Sequence, residues 1–157
     1  MTRKGLVWIL LALLFTLSGC SGGESAPVPC HDLAEAILSG QSFSADMTQL
    51  SEKKLIKALD LPAESFAEAV MLLDASHATA EAIVVVTAAD KAQAAVIADR
   101  LTAYRDSVLE QYRTYQPAEV PKLEAAKVIT RGLQCVLVIA GDQEAAKKVC
   151  EAKWKAQ

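Results

Sequence analysis

Three short stretches bring together residue types that do chemistry. Cys30-His31-Asp32 sets a thiol, an imidazole and a carboxylate in a row. Asp74-Ala75-Ser76-His77 holds the three members of a nucleophilic triad within four residues. Glu81 opens the apolar run Ala80 to Thr87, where an acid facing a core is a candidate general acid. Each stretch also has a plainer account. Zinc needs three or four ligands converging in space. No second pair such as C-x-x-C accompanies Cys30 and His31. No metal and no other cofactor is therefore expected, and Asp32 reads as a helix cap. Triads are assembled from separate elements, because adjacent residues do not aim at one reacting atom. Asp74 to Thr79 thus reads as a hairpin loop. Glu81 reads as a strand-end acid paired with Arg100 or Arg131. The glycines form no phosphate-cradling pattern. No catalytic residue is assigned.

The remaining chemistry belongs to the cysteines. Residues 1–23 read MTRKGLVWILLALLFTLSGCSGG. Arg3 and Lys4 precede an apolar run from Gly5 to Leu17, the pattern of a signal peptide. Leu17-Ser18-Gly19-Cys20 resembles the bacterial lipobox. In that class the signal is cut before the Cys, and its thiol carries a diacylglyceryl group. The expected organisation is a signal peptide over residues 1–19, a lipid anchor and flexible tether over 20–29, and one domain over 30–157. Two acyl chains suffice for stable anchoring where one does not. The apolar part of the leader is shorter than the roughly 20 residues of a comfortable span. Cleavage leaves 14 Lys and Arg against 19 Asp and Glu, a net charge of -5. Neither nucleic acid nor an anionic leaflet is then an expected electrostatic partner.

Export leaves Cys30, Cys135 and Cys150 where disulfides can form. Cys135 shares a strand face with Leu133, Leu137 and Ile139, and Cys150 shares a helix face with Ala146 and Trp154. A last helix packed on that strand would bring the two together, so Cys135 and Cys150 are a candidate disulfide. The alternative is two buried thiols behaving as small hydrophobes.

The elements that would position these groups fit one domain. Hydrophobic residues make up 52% of the 157, which excludes a disordered chain, although 28 of the 157 are Ala and bury little area each. Short helices are expected over Leu33 to Leu38 and Glu52 to Leu59. A strand is expected over Ala80 to Thr87, while Phe66 to Leu73 reads as helix, as strand, or as a helical turn leading into a strand; a strand over Ala69 to Leu73 would join the first as a hairpin. Val84 to Val86 point to burial on both faces. Asp90 and Gln93 have capping-box spacing and open a helix from Lys91 to about Tyr115. Its stripe of Ile97, Leu101, Tyr104, Val108, Tyr112 and Tyr115 recurs at helical period and is assigned to the core. A second hairpin, Lys127 to Thr130 and Leu133 to Ala140, turns at Gly132. Asp142 caps a last helix, Gln143 to Lys155. The expected class is α+β: a two-layer domain, a mainly antiparallel sheet of about four strands, and helices on one face, one of them long.

Ala80-Glu81-Ala82-Ile83 entering a strand, Tyr115-Gln116-Pro117 closing a long helix and Gly132 before an apolar strand resemble a family of gram-positive lipoproteins catalogued as domain of unknown function 4358. The resemblance runs from about Leu55 to Ala140. It implies fold and location and carries no activity. The expected role is a membrane-anchored extracytoplasmic lipoprotein of the cell envelope, held by Cys20. It would be a non-enzymatic module that meets an envelope protein or a small ligand. The alternatives are a hydrolase-type envelope enzyme using Glu81 and a thiol-responsive protein.

Overall fold

The computed structural model describes residues 26–157. The expected signal peptide over residues 1–19 and the expected lipid site Cys20 lie outside the described residues. Five helices and five strands follow one another. They are α1 (Cys30–Gly40), β1 (Met47–Gln49), α2 (Glu52–Leu59), β2 (Phe66–Asp74), β3 (Ala82–Ala88), α3 (Lys91–Tyr115), α4 (Val120–Ala125), β4 (Val128–Arg131), β5 (Gln134–Ile139) and α5 (Gln143–Lys155). The sheet has the order β1-β2-β3-β5-β4. All its pairings are antiparallel. Both expected hairpins form, and Gly132 makes the β4–β5 turn at φ 58, a conformation open to glycine without strain.

Helices cover both faces of the sheet, not one. Side-chain alternation along the strands explains why. Met71 on β2, Val84 on β3 and Leu137 on β5 are cross-strand partners and belong to one apolar cluster, with Leu55, Leu101 and Leu123 from α2, α3 and α4. Leu72, Ile83 and Val138 are also cross-strand partners, but they belong to a second cluster with Leu33 and Ile37 of α1 and Trp154 of α5. Every residue of β3 is buried. Such a strand needs cover on each side, so the fold has three layers, helix–sheet–helix. The extra strand is β1, three residues that pair with the end of β2.

Local signals fix the long elements. The Asp90 side chain accepts from the Gln93 backbone N–H, and the Asp142 side chain accepts from that of Ala145. These caps place α3 and α5 where the capping pattern puts them. Ile97, Leu101 and Tyr112 are buried, Tyr104 and Val108 are half-buried, and Tyr115 turns outward at 69% exposure. The α1 start is different from expectation. Pro29 stands at its N-cap with no side-chain cap, and Asp32 lies inside the first turn. At the other end of α1, a Cβ on Gly40 would stand 2.6 Å from Val149 Cγ2, so a larger residue there would displace the Val149 side chain where α1 approaches α5.

The proposed Cys135–Cys150 disulfide is not formed. Both thiols are free and buried. Cys135 sits in the cluster under α3 and Cys150 in the cluster under α5, on opposite faces of the sheet. The face assignment of each residue holds; the helix that carries Cys150 packs on the other side. Cys30 is also free and buried. Burial pushes the Cys30 and Cys135 thiols up to about 11 and that of Cys150 to about 12.

Candidate functional site

A concave region lies at the end of the sheet where β2 passes into β3. A cleft of about 430 Å³ opens between α2, α3 and the 75–81 connection. Leu50, Met71, Leu73 and Val108 give it apolar walls, and Lys54, Tyr104, Asp74 and Glu81 bring polar groups.

Its two carboxylates are held in the same way. Asp74 Oδ1 accepts from the Ser76 N–H at 2.8 Å and the Ser76 hydroxyl at 2.6 Å. Its Oδ2 accepts from the Thr79 N–H at 2.8 Å and the Thr79 hydroxyl at 3.1 Å. The Ser76 hydroxyl leads these bonds in holding the Asp74 carboxyl down at about 2. Glu81 Oε1 accepts from the Ser44 hydroxyl and the Lys122 ammonium, each at 3.0 Å. Its Oε2 accepts from the Ser44 N–H at 2.7 Å and the Ala45 N–H at 3.3 Å. A carboxylate has about four lone-pair sites. Asp74 and Glu81 have each filled four.

Lys122 is the partner that sequence reasoning missed. Arg100 pairs with Asp60 instead of Glu81. Lys122 Nζ also lies 3.0 Å from Glu119 Oε2, which in turn accepts from the Ala80 N–H at 3.0 Å. Burial works against the Lys122 ammonium, but the hydrogen bonds it donates to Glu81 and Glu119 outweigh it and raise its pKa. The cluster thus ties the 44–45 loop, the entry to β3 and α4 into one unit. The i,i+3 spacing of Glu119 and Lys122 was the available signal.

The apparent triad does not assemble. The Ser76 hydroxyl donates straight to Asp74, with no imidazole between them. His77 sits at φ 56 in the turn. Tyr112 braces that turn: its hydroxyl lies 2.6 Å from the Thr79 carbonyl and 3.1 Å from that of His77. The Cys30-His31-Asp32 run is likewise dispersed. Cys30 is buried, while His31 and Asp32 are exposed. Cys30 Sγ lies 3.2 Å from the Thr87 hydroxyl oxygen.

That contact belongs to a second polar cluster, also unforeseen, on the far face. Gln134 Nε2 donates to the Val28 carbonyl at 2.7 Å and to the Thr87 hydroxyl at 3.2 Å. Gln134 Oε1 accepts from the Trp154 indole at 2.7 Å. A glutamine inside an apolar strand was the signal, since buried polar groups are bonded. Val28, assigned to the tether from sequence, is buried here.

A family model described as domain of unknown function (DUF4358) matches residues 41–140. The chain belongs to that family. The DUF4358 span contains all five strands, the three helices of one face, both saturated carboxylates and the cleft. The helices α1 and α5, which cover the second face, lie outside it. No curated protein and no solved structure matches the chain.

Proposed function

We propose that this chain is a membrane-anchored extracytoplasmic lipoprotein, and that its domain is a non-enzymatic binding module using the cleft beside α3. The lipobox-like Leu17-Ser18-Gly19-Cys20 supports the anchor. Among the described residues no helix is long and apolar enough to cross a membrane. A cleft of this size, with apolar walls and few polar groups, is the usual form of a small-ligand site.

One observation carries the preference for binding over catalysis. Asp74 and Glu81, the carboxylates that line the cleft, have their acceptor sites filled by Ser76, Thr79, Ser44, Ala45 and Lys122. A general base needs a free lone pair within reach of the proton it takes. These two have none to give without losing the turn or the clamp. The thiol-responsive alternative loses the pair expected for it, since Cys135 and Cys150 lie on opposite faces of the sheet.

The anchor is tested by mass spectrometry of the membrane fraction. A diacylglyceryl-modified peptide beginning at Cys20 is expected. Retention of Met1 to Lys4 on most mature molecules would overturn it. The binding role is tested by titrating small molecules into the isotope-labelled domain and following the amides around the cleft.

A further inference from the structure

The cleft has a chemical preference that follows from which of its polar groups are already engaged. Among the described residues, the Lys54 ammonium, the Tyr104 hydroxyl, the His77 imidazole and the Gln111 amide oxygen line it with no hydrogen-bond partner. Lys54 is exposed on the first turns of α2, and Tyr104 is half-buried on α3. Burial pushes the Tyr104 hydroxyl up to about 12, so it keeps its proton and can donate it. Of these groups, Lys54 and Tyr104 offer donors, and Lys54 carries a positive charge. The carboxylates are spent: Asp74 and Glu81 each receive four hydrogen bonds. An ammonium ligand would therefore meet no free carboxylate oxygen and would face Lys54. A carboxylate ligand would meet two unsatisfied donors. The remaining walls, Leu50, Met71, Leu73 and Val108, suit an apolar body.

We propose that the cleft binds a small amphipathic carboxylate, with its apolar part against Leu50, Met71, Leu73 and Val108 and its carboxylate taken by Lys54 and Tyr104. This rests on the cleft being a binding site and adds the class of ligand. The charge-assisted bond from Lys54 is the stronger of the two, and the neutral Tyr104 donor adds orientation.

The test uses three probes of one shape, octanoate, octanol and octylammonium, titrated below their aggregation limits into the labelled domain. Octanoate is expected to bind most tightly, shifting the amides of Leu73, Ala82 and Val108 and leaving Ile37 and Ala146 on the far face still. Lys54→Gln should weaken octanoate about tenfold and Tyr104→Phe about threefold, the sizes of a charged and a neutral hydrogen bond. Both variants should melt near the parent temperature, since Lys54 is exposed and Phe keeps the ring. Octanol or octylammonium binding the same amides as tightly as octanoate would overturn the ligand class and leave the cleft a binding site. An unchanged octanoate affinity in Lys54→Gln would also overturn the class. Silence at the cleft amides with all three probes would overturn the class and the binding role together.

Discussion

The indole N–H of Trp154 donates to Gln134 Oε1 across 2.7 Å in the buried layer between α5 and the sheet. This bond joins the last helix to a central strand through a pair of polar atoms that water does not reach. Trp154→Phe keeps an aromatic ring and removes the donor. It should cost about 1–3 kcal/mol, the penalty for leaving a buried acceptor unpaired. Urea unfolding measures it, and a change below about 0.5 kcal/mol would mean the bond does little.

Glu81→Gln should destabilise the domain rather than disable a reaction. It leaves Lys122 with Glu119 alone and asks an amide to accept from two backbone N–H groups and a hydroxyl. Removing one member of a buried pair costs about 3–5 kcal/mol. The lower end is expected, because the Lys122 side chain is 19% exposed and keeps one carboxylate. Denaturant titration checks the loss. A variant as stable as its parent would reopen a chemical role for Glu81.

Much of this architecture was legible locally. The capping box at Asp90 and the stop at Pro117 bracket α3 at Lys91–Tyr115. The alternation in Leu133 to Ile139 assigned Cys135 its correct face. What failed was long-range. The sequence places Cys150 on an apolar helix face but does not say which side of the sheet that helix takes. The burial of Val84 to Val86 on both sides already required a second helical layer, and an expectation of one covered face did not follow that through. In the candidate site, the hairpin loop at Asp74 to Thr79 was readable from turn chemistry. The partner of Glu81 lies 41 residues away in sequence and was not.

The Asp74 turn gives a pH signature. Its folded carboxyl sits at about 2, held there first by the Ser76 hydroxyl and then by the Thr79 and Ser76 amides and the Thr79 hydroxyl. An unfolded Asp titrates near ~3.9. The folded value is the lower one, so folding favours the ionised form. The resulting stability is fully present above about pH 4 and is lost as pH falls toward about 2. Asp74→Asn should be less stable than its parent at pH 7, and the gap should shrink across that window in thermal melts. A gap that stays constant would count against the turn as its source.

Cys30, Cys135 and Cys150 should resist alkylation in the folded domain. The thiolate is the reactive form, and burial holds these thiols at about 11, about 11 and about 12. Iodoacetamide at pH 8 should label them slowly before unfolding and fully after it. The intact mass without reductant should be that of three free thiols. A mass two hydrogens lighter, with Cys135 and Cys150 joined, would mean that the two helical layers are wrongly assigned.

The bond from Gln134 to the Val28 carbonyl decides how the domain would take a pull on its N-terminal side. Gln134 begins β5, which is hydrogen-bonded to β3 on one side and β4 on the other. Through this bond, part of a tension arriving at Val28 would reach an interior strand as well as α1. The edge strands β1 and β4, which would peel one bond at a time, are not the first to bear it. The cleft borders the opposite end of β3, beside Ala82 rather than Thr87. A pull on that side would thus enter at the foot of the sheet, at the far end of β3 from the cleft.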